Sequence, residues 1–124
     1  MHIPSAIKLH KASKTLELQY GAAERYSLPA EVLRVHSPSA EVQGHGKPIL
    51  QTGKQHVGLT HVEPAGNYAL KLYFDDGHDS GLFTWDYLYR LATQHDSLWA
   101  DYLAALSAAG KSRDPDESAV RLLL

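Results

Sequence analysis

Serine, histidine and glycine are concentrated in one stretch of the sequence, residues 33–46, which reads LRVHSPSAEVQGHG. A second and shorter stretch, DGHDS at residues 76–80, carries the same residue types together with two carboxylates. Imidazole nitrogens and carboxylate oxygens bind metal ions, and a serine beside a histidine can act as a nucleophile. Any chemistry is therefore expected in these two stretches, and the remaining sequence is typical of a scaffold.

The eight histidines raise the question of a metal site, because neutral imidazole is the commonest nitrogen ligand for zinc and iron. The sequence contains no H-E-x-x-H motif. His61 and Glu63 could supply two ligands of an iron-binding facial triad, since alternate residues of a strand share one face. Such short strings recur by chance, and a solvated sheet face is the favoured interpretation of this pair.

No nucleophile is assembled by the sequence pattern. Ser37 and Ser39 lie near His36 and His45, but neither serine stands in a G-x-S-x-G elbow, and no buried acid can be assigned to orient a histidine. Serine hydroxyls in such a loop commonly bond nearby backbone groups and fix the turn. We therefore predict no catalytic residues, no cofactor and no enzyme activity.

Three carboxylates surround Gly77, and they are candidates for binding a divalent cation through oxygen: Asp75, Asp76 and Asp79. Their spacing is not that of a calcium-binding EF-hand loop, so they are assigned to a turn.

Composition narrows the function further. At 124 residues the chain is expected to be one domain, and its net charge of -2, with scattered basic residues, argues against nucleic-acid binding. The absence of cysteine removes disulfides, thiolate metal sites and cysteine nucleophiles. No apolar run is long enough to span a membrane and no secretory signal is visible, so we expect a cytoplasmic protein without a membrane partner.

The first half of the chain predicts the scaffold that carries the serine-rich loop. Apolar and polar residues alternate in Ala6–His10 and Thr15–Tyr20, which predicts a β-hairpin, and residues 25–28 extend it with a third strand. Pro29 suits the first turn of a helix, so residues 29–35 are predicted to be a short helix that delivers the chain into the loop.

The second half predicts another hairpin followed by two helices. The strands are predicted at residues 57–63, 68–74 and 81–84, with a turn at 64–67. Thr84 and Asp96 are predicted N-caps, and Gly110 is the predicted C-terminal stop of the last helix.

These elements predict an α+β fold: a single domain with a mostly antiparallel sheet built from two hairpins, one short helix and a C-terminal helix pair covering one face. The domain is expected to span residues 1–110. Residues 111–124 are expected to be a flexible C-terminal tail with a short apolar end, Val120 to Leu124.

Most of the chain resembles the N-terminal domain of gamma-butyrobetaine hydroxylase-like proteins. The similar positions are Leu33-Arg34, the run from His36 to Val42, Gly44-His45, the run from Asp76 to Ser80, and Phe83-Thr84-Trp85. In the hydroxylases this domain precedes a larger iron- and 2-oxoglutarate-dependent oxygenase domain, which this sequence does not supply. Small bacterial proteins consist of the domain alone, and a similar domain is attached to some P-loop scaffold ATPases of iron–sulfur cluster assembly.

The resemblance implies a degenerate metal site. Hydroxylase members hold a structural zinc with three cysteines and one histidine, and these positions correspond to Ser37, Ser39, Val42 and His78 here. Neutral serine is a poor zinc ligand and valine is none, so no metal is expected. We expect instead that a hydroxyl of Ser37 or Ser39 bonds His78 and that Val42 fills the space of a sulfur.

One alternative metal site stays open at this point. His36, His45 and His78 could form a nitrogen-rich site in place of the sulfur ligands, because imidazole alone can bind zinc or iron.

The leading functional hypothesis is a non-catalytic binding or adaptor domain that docks a protein partner through its loop. The residues assigned to this binding loop are Arg34, His36, Ser37, Ser39, Glu41 and His45. Two alternatives follow from the domain's associations in similar proteins: a metal-binding accessory factor in iron or iron–sulfur cluster metabolism, and a partner that acts in trans on an oxygenase.

Overall fold

Residues 2–115 are described by the computed structural model. The strands are β1 (Ala6–His10), β2 (Thr15–Tyr20), β3 (Glu24–Pro29), β4 (Leu59–Ala65), β5 (Ala69–Phe74) and β6 (Leu82–Thr84). The helices are α1 (Ala30–Val35), α2 (Ala40–Gln43), α3 (Trp85–Thr93) and α4 (His95–Ala109), and a 3₁₀ turn at Gly44–Gly46 follows α2. None of these described helices is long and apolar enough to cross a membrane.

The first sheet is antiparallel, in the order β1-β2-β3. Leu18 on the central strand pairs with Ile7 on one side and Tyr26 on the other. Leu16 and Leu18 are fully buried, whereas the residues between and beside them are only half-buried. The period-two pattern of the sequence therefore places one face of this sheet against the core.

The second sheet is also antiparallel, in the order β4-β5-β6. Its central strand buries Leu70, Leu72 and Phe74, and Leu70 pairs with the fully buried Phe83 of β6. Helix α3 packs Leu88 and its other apolar residues into the same core, which joins both sheets. One continuous core thus connects the two hairpins.

The predicted α+β class is confirmed, and the structure shows how the hairpins are arranged: they form two separate three-stranded sheets. The hydroxyl of Thr84 caps α3 by accepting a hydrogen bond from the backbone N–H of Tyr87, as predicted. Gly110, in the left-handed conformation at φ 66°, ends α4 at the predicted position.

Several element boundaries were predicted wrongly. Pro29 is the last residue of β3 and precedes α1, because its extended conformation (ψ 144°) still fits the sheet. Helix α4 begins at His95 after Gln94, so Asp96 lies in its first turn and is not the cap. Pro64 and Ala65, predicted as turn, belong to β4, where Ala65 pairs with Ala69.

Residues 111–115, the start of the predicted tail, pack against other segments of the domain. The backbone N–H of Gly53 donates to the carbonyl of Ser112 at 2.9 Å, and that of Gln55 donates to the carbonyl of Arg113 at 3.0 Å. Arg113 donates two hydrogen bonds of 2.8 Å to Glu31 on α1, and its guanidinium lies 5.0 Å from the ring centroid of Trp99 on α4. This segment therefore ties α1 to α4, and the rest of the predicted tail, with Val120 to Leu124, lies outside the described residues.

The pair between Arg113 and Glu31 generates a stability prediction. Glu31 is only 6% exposed, so Arg113→Met would leave a buried carboxylate without its cation and lower the free energy of unfolding by about 3 kcal/mol. The double variant Glu31→Met/Arg113→Met removes that charge as well and should regain much of the loss. Urea unfolding of both variants measures this, and a double variant less stable than Arg113→Met alone would contradict it.

Candidate functional site

The chain between α1 and β4 is more ordered than the predicted loop, since it contains α2 and the 3₁₀ turn. Ser39 begins α2 because its hydroxyl accepts a hydrogen bond from the backbone N–H of Val42. Gly44 ends α2 in the left-handed conformation at φ 57°, and a Cβ there would lie 3.0 Å from Cγ1 of Ile49. Glycine is therefore favoured at this turn by its φ angle, and a side chain there would also crowd Ile49.

The two serines of this segment contact the histidine of the second stretch. Oγ of Ser37 lies 2.8 Å from Nε2 of His78, and Oγ of Ser39 lies 3.3 Å from the same nitrogen. All three are buried, with exposed fractions of 0%, 4% and 6%. Val42, whose backbone N–H donates to Oγ of Ser39, is also buried, at 4%. The hydrogen bond expected between a serine hydroxyl and His78 is therefore present in the structure, and we call these four residues the serine–histidine cluster.

Gly81 lets the two stretches pack together. A Cβ at this position would lie 2.4 Å from Oγ of Ser37 and 3.3 Å from Cδ of Pro38. The first distance is shorter than two atoms tolerate, so a larger residue would force Ser37 to shift. The sequence signal for this is the glycine at the start of the predicted strand 81–84, because glycine in a strand often marks close backbone approach.

The donor set of the serine–histidine cluster does not suit zinc. Two neutral hydroxyls, one imidazole nitrogen and an isopropyl group supply one good ligand atom, where a structural zinc site needs four. Nε2 of His78 is also engaged by the two hydroxyls. Among the described side chains, which exclude those of Glu41 and His45, no three histidines, aspartates or glutamates form a group able to hold a metal ion.

Of the alternative histidine site, the side chains of His36 and His78 are described. Nδ1 of His36 lies 2.8 Å from the carbonyl oxygen of Val32, so this ring nitrogen is bonded within α1. Burial is the main effect that lowers the pKa of His36, with a smaller contribution from the neighbouring charges of His95 and Arg90. The side chains of His45 and Glu41, also assigned to the binding loop, lie outside the described residues.

Arg34 connects the first stretch to the second by ionic hydrogen bonds. Its Nε donates to Oδ2 of Asp76 at 2.8 Å, and its Nη1 donates to Oε1 of Gln51 at 3.1 Å. Nζ of Lys54 donates to Oδ2 of Asp76 at 3.2 Å, and the backbone N–H of His78 donates to Oδ1 at 3.1 Å. Because Arg34 is only 7% exposed, its guanidinium holds these segments together and is not presented to a ligand.

The carboxyl of Asp76 is held in its ionised form. Burial is the largest single effect and would raise its pKa, but the hydrogen bonds from Arg34, the backbone of His78 and Lys54 together lower the pKa below the ordinary value. Asp76, predicted as a turn residue, therefore also fixes the position of His78.

His61 and Glu63 lie on an exposed face of the second sheet. Their side chains are 60% and 47% exposed, and Nε2 of His61 lies 3.3 Å from Oε2 of Glu63. The hydroxyl of Tyr73 donates to Oε1 of Glu63, which is the main reason that the pKa of this carboxyl is lowered. The pair is thus bonded to its own neighbours on a solvated sheet face.

A groove of about 670 Å³ opens beside the serine–histidine cluster. Its apolar wall comes from α1, α2, α4 and the segment after the 3₁₀ turn: Val35, Pro38, Val42, Ile49, Leu50 and Ala105. Its polar residues are His36, Gln43, Gln51, Tyr87 and Arg90. Of the predicted binding loop, His36 lines this groove, whereas Ser37 and Ser39 face His78.

Ile49, Tyr87 and Arg90 were not identified from the sequence. They come from elements that are far apart along the chain, and only packing brings them to one surface. Ile49 is 55% exposed despite its apolar side chain. A sequence alone does not show which apolar side chains remain exposed after folding.

The serine–histidine cluster generates a stability prediction. Ser37→Ala removes the shorter hydrogen bond to a buried imidazole and should lower the free energy of unfolding by about 1–3 kcal/mol. Ser97→Ala is the control, since Ser97 is exposed on α4 and should change stability by about 0.5 kcal/mol or less. Equal effects of the two substitutions in urea unfolding would show that the contact contributes nothing.

Asp76 generates a pH-dependent prediction. Because its native pKa is below the ordinary value of 3.8, the ionised carboxylate stabilises the fold fully above that value and loses this contribution as pH falls through the native pKa. Asp76→Asn should therefore cost about 1–3 kcal/mol at pH 7, and its difference from the wild type should narrow below pH 3.8.

The measurement for Asp76 is urea unfolding at a series of pH values. Asp101→Asn is the control, because Asp101 is exposed on α4 with no hydrogen bond described. A difference between Asp76→Asn and the wild type that stays constant down to pH 2 would refute the role assigned to the carboxylate.

The family model described as gamma-butyrobetaine hydroxylase-like, N-terminal, matches residues 7–89, which include both stretches of the serine–histidine cluster. Among curated proteins, none matches the chain significantly.

Three solved structures are similar over most of the chain. An NMR solution structure is 77% identical and superposes with a TM-score of 0.86, covering 100% of this chain and 99% of the other. A second NMR structure is 48% identical with a TM-score of 0.79, covering 93% and 87%. A crystal structure of a DUF971 family protein of unknown function from Acidithiobacillus ferrooxidans is 38% identical with a TM-score of 0.61, covering 72% and 91%. With the family match spanning more than half of its length, this chain belongs to the gamma-butyrobetaine hydroxylase-like N-terminal domain family.

Proposed function

We propose that this chain is a non-catalytic binding or adaptor domain that docks a protein partner in the groove beside residues 36–51. The observation that carries the proposal is the exposure of Ile49, 55%, on the wall of an apolar groove of about 670 Å³. An exposed apolar surface with a polar rim is a common feature of interaction sites.

The buried serine–histidine cluster supports a non-catalytic role. Ser37 has no exposed surface and His78 is 6% exposed, so a substrate could not reach the hydroxyl that lies nearest to a base. Both hydroxyls also bond backbone N–H groups of their own loop, as structural serines do. These contacts support a role in shaping the loop.

We further propose that the metal site of hydroxylase relatives is lost in this chain. The resemblance places its ligands at Ser37, Ser39, Val42 and His78. In this chain, hydrogen bonds and packing at these positions would stabilise the loop in place of metal coordination. Val42 is itself one of the residues that line the groove. The loop would therefore keep its shape, and the groove its form, without a metal ion.

The test uses the absence of native cysteine, which makes one introduced cysteine a unique attachment point. The variant Ile49→Cys is labelled with a short photo-crosslinker and incubated with a lysate of the source cells. Ile3→Cys, labelled in the same way, is the matched control, since both isoleucines are 55% exposed and Ile3 does not line the groove. We expect a protein captured from Ile49→Cys and not from Ile3→Cys.

Mass spectrometry of the captured protein separates the remaining hypotheses. A P-loop ATPase would favour an accessory role in iron–sulfur metabolism, and an oxygenase would favour action in trans. Identical captures from both positions would contradict docking in the groove, and turnover of 2-oxoglutarate by the purified chain would contradict the non-catalytic role.

A further inference from the structure

We infer that the groove takes a peptide segment of a partner protein that presents apolar side chains next to a carboxylate. This inference rests on the proposed docking function and adds the chemistry of the occupant. Three properties of the groove lead to it: its apolar wall, the internal bonding of its neutral polar groups, and the sign of its charge.

The apolar wall sets the first requirement. Val35 and Val42 are buried at its base, while Ile49 remains 55% exposed at the surface. A volume of about 670 Å³ lies in the range of about 300–1,000 Å³ that accommodates a small ligand or a few side chains. Covering Ile49 with apolar carbon would remove this surface from water, which favours an occupant with apolar side chains.

The neutral polar groups of the groove are already bonded within the domain. Nε2 of Gln43 donates to the carbonyl of Ser37 at 3.0 Å. Gln51 accepts from Arg34 through Oε1 and donates to the carbonyl of Ile49 through Nε2. The hydroxyl of Tyr87 donates to the carbonyl of His36 at 2.5 Å. Because these neutral groups already bond to the domain itself, they fix the shape of the groove wall.

The charge of the groove sets the second requirement. Arg90 is exposed on α3, and among the described side chains, which do not include that of Glu41, no carboxylate forms an ion pair with it. None of the described lining residues is an aspartate or glutamate, and the charge of Arg90 contributes to the lowered pKa of the neighbouring His36. An occupant that supplies a carboxylate to Arg90 would complement this field, whereas a basic occupant would be repelled by it.

The test is selection of a random peptide library displayed on phage. The full chain is immobilised through Lys11→Cys, which lies in the turn between β1 and β2 and does not line the groove. We expect the enriched peptides to carry aspartate or glutamate beside apolar residues. Enrichment of basic or uncharged peptides, or no enrichment, would overturn the inference.

The contributions of Arg90 and Ile49 are then measured in variants of the full chain. The probe is the selected peptide that binds the wild type most tightly. Arg90→Gln should weaken binding about fivefold, the upper value for an exposed ion pair, and Ile49→Asp about tenfold or more through lost apolar contact. The matched controls, Arg25→Gln and Ile3→Asp, alter exposed residues that do not line the groove and should leave affinity within about twofold.

The outcomes separate the inference from the function on which it rests. Uncharged peptides whose binding is lost in Ile49→Asp but kept in Arg90→Gln would overturn the carboxylate and leave the docking function intact. Peptides unaffected by both substitutions would contradict docking in the groove itself.

Two other occupants would also overturn the assignment to a partner segment. Self-association of the wild type in sedimentation velocity that Ile49→Asp abolishes would identify a second copy of the chain. Stronger peptide binding by the full-length variant Leu122→Ser/Leu123→Ser than by the wild type would identify residues 116–124 as the occupant.

Discussion

The loop depends on one buried contact, between Oγ of Ser37 and Nε2 of His78. The two residues are 41 positions apart in the sequence, so their hydrogen bond joins the segment after α1 to the turn between β5 and β6. A buried imidazole without a partner would cost free energy, and the serine hydroxyls satisfy it in a space that water does not reach. Gly81 makes the contact possible because any Cβ would collide with Ser37.

Charged residues complete the same linkage from either side. Arg34 and Asp76 connect the two stretches, and Arg113 binds Glu31 across the opposite end of α1. Each pair includes one side chain that is almost fully buried, so both ion pairs belong to the packed structure and are not fully solvated surface contacts. Helix α1 is thereby fixed between the segment at 111–115 and the turn that carries His78.

The surface of the groove is built from several short elements. α1, α2 and the segment around Ile49 form one wall of the groove, and α3 supplies Tyr87 and Arg90 on another. In the loop beside the groove, the hydroxyls of Ser37 and Ser39 bond the imidazole of His78, and these contacts hold the loop against the second sheet.

Much of the fold was predictable from local pattern. The alternation in Ala6–His10 and Thr15–Tyr20 determined the first hairpin, and the run before Phe74 determined the central strand of the second, because period-two burial leaves a direct trace in sequence. The resemblance to the family also indicated Ser37, Ser39, Val42 and His78 as one set. In the structure the hydroxyls of Ser37 and Ser39 contact His78, and the backbone N–H of Val42 donates to Ser39.

Tertiary structure decided what local pattern could not encode. The division of the hairpins into two sheets and the docking of Arg113 on Glu31 depend on contacts between segments that are distant in sequence. The groove is of the same kind, since Ile49 and Arg90 share a surface only after α3 has packed on the core. The sequence by itself determined the two hairpins and the helix pair, because the periodicity of burial is local, but it did not reveal α2 or the exact ends of several elements. The surfaces that these elements form together depend on packing between distant segments, so they exist only in the folded chain.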